Sequence, residues 1–313
     1  MKTALVIDIG HGFGIHMASA LLRRGWHVRS LMPRSAIGSA WMSGIEYLTG
    51  DPRQAQHLAR AADGVEAIVS GSPYLGPHEL WPLAMAAADS GATLVLHDNL
   101  YARPKMSSSR GLDPTATLDH LIPDVQNPLR SAIEHGSRVI LMRSGDLIGA
   151  HAPNGLLSQL LVDMPAGYRL YHPGGSDRVH TWANLPDVAN ATGRLLDHDS
   201  ALPTYAAFDF PGYRLSFADL ADTVRRASGR PVKLLPFGVN TTHPFAGFAL
   251  HLRALRRAYP GDAATLPPLD GEQLRVTLGG SLPFTQLPAA LIAAGLVDSV
   301  DQRELHWSYV ESP

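Results

Sequence analysis

The chain contains no cysteine, so disulfides and thiolate metal sites are excluded. That is compatible with a reducing cytosol, and a cytoplasmic protein is expected. Charge of one sign is not in excess either: 26 Lys and Arg stand against 28 Asp and Glu, a formal net charge of −2. That balance gives no sign of a nucleic-acid or membrane surface, and neither partner is expected. No uninterrupted apolar stretch approaches the roughly 18 residues that span a bilayer. Met1-Lys2 runs directly into a strand-like segment, without the apolar segment and small-residue cleavage site of a signal peptide. The 15 histidines are many, but no His-x-x-x-His pair sets two metal ligands on one helix face, so no metal site is expected. Internal repeats and low-complexity tracts are also lacking.

What is present is a chain of 313 residues with 45% hydrophobic and 17% charged side chains. These values fit a globular protein with one large or two modest cores. Its clearest stretch is the first. An apolar run, Ala4 to Ile9, leads into Gly10-His11-Gly12-Phe13-Gly14, then a helical stretch to Arg24-Gly25, then a second strand from His27 to Met32. Strand, glycine turn, helix, strand is the opening of a dinucleotide-binding unit, where glycines let the backbone approach a pyrophosphate at a helix N-terminus. Strands follow at Ile45–Leu48, Ala67–Val69, Thr93–Leu96 and Val139–Met142, alternating with helices at Gln54–Ala62, Glu79–Asp89 and around Asn127–Glu134. That alternation predicts a Rossmann-like, doubly wound parallel α/β sheet. The second half is less regular. Phe217–Ser228 reads as an amphipathic helix capped by Ser216 and Gly229, 245–259 as a basic helical stretch, and Leu287–Ala294 as a last helix. Residues 1–165 are expected to form the dinucleotide-binding domain, with parts of 176–215 returning to it. Residues 166–313 are expected to be mainly a smaller substrate-binding cap.

These segments, in this order, resemble the extended short-chain dehydrogenase/reductase family of the NAD-dependent epimerase/dehydratase type. Gly10–Arg34 resembles its glycine loop, first helix and second strand, and Tyr47–Ser72 its third and fourth strands with a Gly-Asp adenine contact. Leu94–Pro104 resembles a branch with Asp-Asn-Leu-Tyr at the fifth strand end, and Val139–Ala150 the sixth strand and substrate loop. Val179–Ala191 is similar to the strand and Asp-Val-Ala helix start of the substrate half. Gly280, Pro283, Thr285 and Leu291 match the C-terminal Gly-x-x-Pro-x-Thr-x-x-x-x-x-Leu signature. The likeness covers nearly the whole chain.

The resemblance implies a nicotinamide cofactor held by Gly10, Gly12, Phe13, Gly14, Ser70, Gly71 and Ser72, with Asp51 beside the adenine or, alternatively, as a simple helix cap. The glycine pattern departs from the family's Gly-x-x-Gly-x-x-Gly: in either alignment on Gly10 or Gly12, Ile15 takes the last place, where a wider helix–strand gap is expected. NAD-preferring relatives carry an acid about 20 residues past the turn, at the end of the second strand. Here that stretch is Arg29 to Arg34 with no acid, and a guanidinium fork suits a 2′-phosphate. NADP(H) is therefore expected over NAD(H), with Arg34 first and Arg29 second as its partner.

The family's catalytic set is a Ser or Thr with a Tyr-x-x-x-Lys pair on one helix face. Tyr101 and Lys105 have that spacing, but directly after the fifth strand and interrupted by Pro104. At the family's own position stand Gln126 and Arg130; Gln cannot exchange a proton near neutral pH, while Arg can still hold a ribose. The remaining acid/base candidates are His97, Asp98 and Tyr101, with Asn99 to orient a carbonyl or hydroxyl. Tyr74, Arg143, Tyr168, Tyr171, His172, Arg178, His180 and Trp182 are expected to line a pocket for a polar or anionic ring-containing small molecule, unless the aromatic ones form a structural edge. Two readings stay open: an oxidoreductase, epimerase or dehydratase with an atypical catalytic set, or a non-redox protein on the same scaffold, such as a lyase, an isomerase or a cofactor sensor. A homodimer through the helices flanking the fifth strand is implied by the family.

Overall fold

The computed structural model describes residues 1–10, 12–34, 42–71, 76–100, 118–150, 155–172, 175–236 and 269–299. They form two compact units, each assembled from separate stretches of chain.

The first unit comprises Met1–Ser144, Leu185–Pro211 and Leu269–Pro283. Its strands are β1 (Thr3–Ile7), β2 (His27–Met32), β3 (Ile45–Thr49), β4 (Ala67–Ser70), β5 (Thr93–Asn99), β6 (Val139–Ser144) and β11 (Tyr205–Asp209). They pair in the order β11-β6-β5-β4-β1-β2-β3, every pair parallel. Parallel strands covered by helices on both faces are written as apolar runs, and β5 and β6, apolar up to their polar C-terminal ends, are buried along their whole length. The helices are α1 (Gly12–Arg23), α2 (Ala55–Ala61), α3 (Pro77–Ser90), α4 (Pro123–Glu134), α6 (Leu185–Asp197) and α8 (Glu272–Thr277). One core joins Leu5, Ile68, Leu94, Leu96 and Leu141 of the sheet to Leu58, Leu80, Leu83 and Leu129 of α2, α3 and α4. Each such side chain contributes about 1.5–3 kcal/mol relative to leaving it in water. Helix α3 stops at Gly91, whose φ of 67° suits glycine, while Ala92 donates its N–H to the Ala87 carbonyl.

The second unit comprises Gly145–Asn184, Gly212–Pro268 and Phe284–Pro313. It holds β7 (Asp146–Ile148), β10 (Val179–Asn184) and β12 (Tyr213–Ser216) in one sheet. A second sheet joins β8 (Leu161–Met164), β9 (Gly167–His172) and β13 (Val232–Pro236). Its helices are α5 (Leu156–Leu160), α7 (Phe217–Ser228) and α9 (Leu287–Ala293). Helix α7 has the predicted limits: Ser216 accepts from the Asp219 N–H, Asp219 returns the bond, and Gly229 closes the helix at φ 61°.

The first unit gives way to the second at Gly145, where β6 passes straight into β7, whose partner β10 belongs to the second unit. Helix α4 begins at Pro123 rather than near Asn127, with proline in its first turn, where a missing N–H costs nothing. Of the second unit's strands only β10 was legible, within Val179–Ala191; the others are short and lie among Pro and Gly. The basic stretch 245–259 lies outside the described residues. Among the described residues no helix is long and apolar enough to cross a membrane.

Candidate functional site

The sheet order reverses at β1, which pairs with β2 on one side and β4 on the other. In open parallel sheets this is where ligands bind, beyond the strands' C-terminal ends. After Ile7 the chain turns through Asp8, whose φ of 58° is tolerated by Asp better than by most non-glycine residues. Gly10 lies in the turn and Gly12 opens α1. A Cβ on Gly14 would lie 2.7 Å from the Asp8 carbonyl oxygen. A Cβ on Gly71 would lie 2.6 Å from the same oxygen and 2.9 Å from the Gly14 Cα. Gly14 is therefore the glycine at which helix and strand approach. The places three apart are Asp8, His11 and Gly14, and not the alignments that end on Ile15. Ile15 is buried. His11 lies outside the described residues. Beside the turn, Gly71 donates its N–H to the Ile7 carbonyl at 2.8 Å. Ser70 is fully buried, and its hydroxyl has no hydrogen-bond partner among the described residues. Ser72 and Tyr74 lie outside them.

At the expected adenosine end the two arginines separate. Arg34 is exposed just beyond the C-terminal end of β2. Arg29 is withdrawn from the ribose place: its Nε donates to Glu46 at 3.0 Å and its Nη1 to the Asp63 carbonyl at 2.7 Å, which precedes the N-terminal end of β4. Asp51 is a turn former, its carboxylate accepting the Arg53 N–H at 2.9 Å.

The end of β5 differs most from expectation. His97 is fully buried, with its ring stacked on Phe13 at 4.8 Å and its Nε2 2.8 Å from the Ser144 hydroxyl. Its Nδ1 has no partner among the described residues. Burial penalises the imidazolium and lowers the pKa to about 4. A sealed, neutral ring is not the acid/base at a strand mouth that its residue type suggested. Asp98 and Asn99 are also buried. Arg143, expected to meet substrate, is fully buried; its Nε donates to Asp209 at 2.7 Å, and Nη2 lies 2.6 Å from the same oxygen. Sheet register sets Asp98, Arg143 and Asp209 side by side on neighbouring strands. Burial raises the Asp209 carboxyl, and the Arg143 charge draws it back. Burial also raises the Tyr205 phenol, with Arg143 opposing and Asp98 adding to the shift.

Gln126 and Arg130 share one face of α4, as their spacing requires, and both turn to Asp119 in the short helical turn Leu118–His120. Gln126 donates to its carboxylate at 3.0 Å, and Arg130 lies 3.6 Å away on the surface. Tyr101 and Lys105 lie outside the described residues.

In the second unit the expected pocket lining is largely core. Tyr168, Tyr171 and Trp182 are buried among Leu156, Leu157, Leu170 and Leu220. The Tyr168 hydroxyl accepts the Asp298 N–H at 3.2 Å, and the Arg230 guanidinium covers its ring. Arg178 is exposed. His172 and His180 flank Phe217, with ring centroids 6.2 and 6.0 Å from it. His180 also lies 4.6 Å from the Trp182 ring, and its Nε2 is 2.5 Å from Asp146 Oδ2. Sequence reasoning missed Asp146, Ser144, Asp119 and Phe217. The only signal for Asp146 was its place in the loop after the sixth strand; nothing in the sequence pairs it with His180.

No protein-family model and no curated protein matches the sequence. Solved structures do. UDP-glucose 4-epimerase from Brucella ovis, solved with NAD, is 15% identical at TM-score 0.65, covering 94% of this chain and 97% of its own. The Bordetella bronchiseptica enzyme WbmH, solved with NAD+, is 16% identical at TM-score 0.60 with the same coverage. A short-chain dehydrogenase/reductase superfamily protein from Agrobacterium tumefaciens, with bound NAD, is 16% identical at TM-score 0.63, covering 99% and 100%. Seven parallel strands, the reversal at β1 and a second unit built from three returns of the chain give this protein the fold of the short-chain dehydrogenase/reductase structures of the epimerase and dehydratase type.

Proposed function

We propose that the protein is an NADP(H)-dependent oxidoreductase of the epimerase or dehydratase kind, acting on a hydroxyl or carbonyl group of a small molecule. The observation that carries this reading is the approach of Gly14 and Gly71 at the reversal of strand order, a cradle that any Cβ would fill. That cradle fits a dinucleotide, although Asp8 and His11 stand where relatives carry glycine. The Gly10–Gly14 backbone would receive the pyrophosphate, and Arg34, exposed beyond β2 with no acid near it in sequence, a 2′-phosphate. When bound, the dinucleotide supplies a hydride acceptor or donor. The second unit is the substrate cap in this reading. Nucleotide sugars are the first class to test, because the Brucella ovis neighbour is a UDP-glucose 4-epimerase. A homodimer through α3 and α4 is part of the proposal; Trp81 on α3 is 41% exposed, a large apolar side chain awaiting cover.

One observation favours the second, non-redox reading: Gln126 and Arg130 are engaged by Asp119 rather than left to a substrate and ribose. Thermal unfolding with NADPH, NADH or neither, each at about millimolar concentration, separates the two. A ligand that binds only the native state adds about 2.7 kcal/mol at 100 times its Kd. The expected result is a shift with NADPH exceeding that with NADH. A shift with neither overturns the oxidoreductase reading and puts the non-redox one first.

A further inference from the structure

The turn that would meet the adenosine end of a dinucleotide is Gly50–Gln54, directly after β3. It is tied to the end of β2, where the Gly50 N–H donates to the Met32 carbonyl at 2.9 Å, two residues before Arg34. It is tied to α2 as well. The Asp51 carbonyl accepts the Gln54 N–H at 3.0 Å, and the Gln54 carbonyl accepts the His57 and Leu58 N–H groups at 3.0 and 3.1 Å. One further bond closes the turn, and it is of another kind. The Asp51 N–H donates to Nδ1 of the half-buried His57 ring at 3.1 Å.

A ring nitrogen accepts only while it carries no proton, so this bond sets the tautomer: Nδ1 is bare and the ring proton is on Nε2. An imidazolium is a donor at both nitrogens, and one N–H would then face another. Other histidines here have partners that protonation suits: His135 Nδ1 meets the Ser131 carbonyl at 2.7 Å, and His27 meets the Glu46 carboxylate at 3.5 Å. Gly50 lets the His57 side chain lie against the turn, since a Cβ there would be 3.1 Å from the His57 Cβ and 2.7 Å from Leu31 Cδ1. The charges on the elements around the ring are otherwise engaged or face water. In the turn, Asp51 accepts the Arg53 N–H, and the Arg53 guanidinium meets Glu79 of α3 at 3.3 Å. On β2, Arg29 is held by Glu46 and the Asp63 carbonyl. Arg60 on α2 and His78 on α3 are exposed. Among the described residues the Asp51 N–H is the one partner of the His57 ring.

We propose that His57 is a positioning residue for the adenosine end of the dinucleotide: while neutral it holds the Gly50–Gln54 turn through the Asp51 backbone, and on protonation it lets the turn go. The inference rests on the oxidoreductase reading above. His57 touches no ligand. Histidine side chains change charge between about pH 5 and 8, so dinucleotide binding should weaken as pH falls through that range.

The first test needs neither ligand nor variant. The Asp51 amide resonance of the full-length protein, followed by heteronuclear NMR from about pH 8 to about pH 5, should move in step with the His57 ring. It should stay level in His57→Asn, which offers an acceptor oxygen near the place of Nδ1 and does not titrate. An Asp51 amide that does not follow the His57 ring overturns the proposal, and so does one that moves equally in His57→Asn. The wild-type titration decides by itself should His57→Asn fail to fold. The second test is NADPH titration calorimetry at the two ends of that range, read as the ratio of wild type to His57→Asn. The 2′-phosphate titrates there too, with a pKa of about 6, and cancels in the ratio. On acidification the wild-type affinity should fall about three- to tenfold relative to His57→Asn, the worth of one hydrogen bond. An unchanged ratio overturns the proposal. Wild-type binding that tightens overturns it as well, because His57 then meets the phosphate as a cation. Absence of NADPH binding at both ends, with the Asp51 amide still titrating, rejects the dinucleotide and keeps the Asp51–His57 contact, so the two failures are distinguishable.

Discussion

Gly14 of α1 and Gly71 after β4 face each other so closely that a Cβ on Gly71 would stand 2.9 Å from the Gly14 Cα, with the Asp8 carbonyl oxygen against both. The colliding atoms are backbone and cannot rotate away. Gly14→Ala and Gly71→Ala should each destabilise the protein by about 1–3 kcal/mol or more, read as a lower urea midpoint at unchanged slope. Both should also weaken any dinucleotide-dependent thermal shift.

Arg34 makes a prediction that divides the two cofactors. A charge-assisted hydrogen bond is worth about 1.5–3 kcal/mol. Arg34→Ala should therefore weaken NADPH binding by about ten- to a hundredfold and leave NADH binding unchanged, measured by titration calorimetry. Arg29→Ala, which loses only Glu46 and the Asp63 carbonyl, should not discriminate between them.

The two carboxylate–arginine contacts flanking β6 and α4 should behave oppositely. Asp209→Ala strands the fully buried Arg143 charge and should cost about 3–5 kcal/mol. Asp119→Ala releases Gln126 and Arg130 at the surface and should cost less than about 1 kcal/mol. Paired urea denaturation of the two variants checks the contrast.

His97 ties stability to pH in a definite direction. Its pKa falls from 6.5 in the unfolded chain to about 4 in the native one, so the unfolded state binds the proton first. Its contribution is full above pH 6.5, is lost as pH falls toward 4, and changes no further below that. The loss is on the order of 3 kcal/mol by linkage. His97→Phe should show a shallower loss of stability than wild type between pH 6.5 and 4, as seen in urea midpoints across that range. Parallel slopes would mean that the ring is not sealed.

The sheet was legible because parallel strands buried on both faces are written as apolar runs, and β1, β5 and β6 are such runs. The place of Arg34 just past β2 was legible because Pro33 ends the strand. Ion pairing was not. Arg29 and Arg34 look alike in sequence, yet one meets Glu46 because β2 and β3 pair in that register. Ile15 seemed to break the glycine pattern because the frame rests on Asp8, a residue whose positive φ carries no sequence mark. The aromatic run from Tyr168 to Trp182 reads the same whether it lines a pocket or fills a core. Only burial tells Trp182, with no exposed surface, from Arg178 on the outside.

Gly145 separates Ser144, which holds His97, from Asp146, which holds His180. An insertion there cannot be absorbed by a loop, and it would change the keeping of both imidazoles at once. The two histidines, far apart in sequence, are thus a single heritable unit: relatives that keep Ser-Gly-Asp at this point should keep both, and relatives that lose it should lose both together.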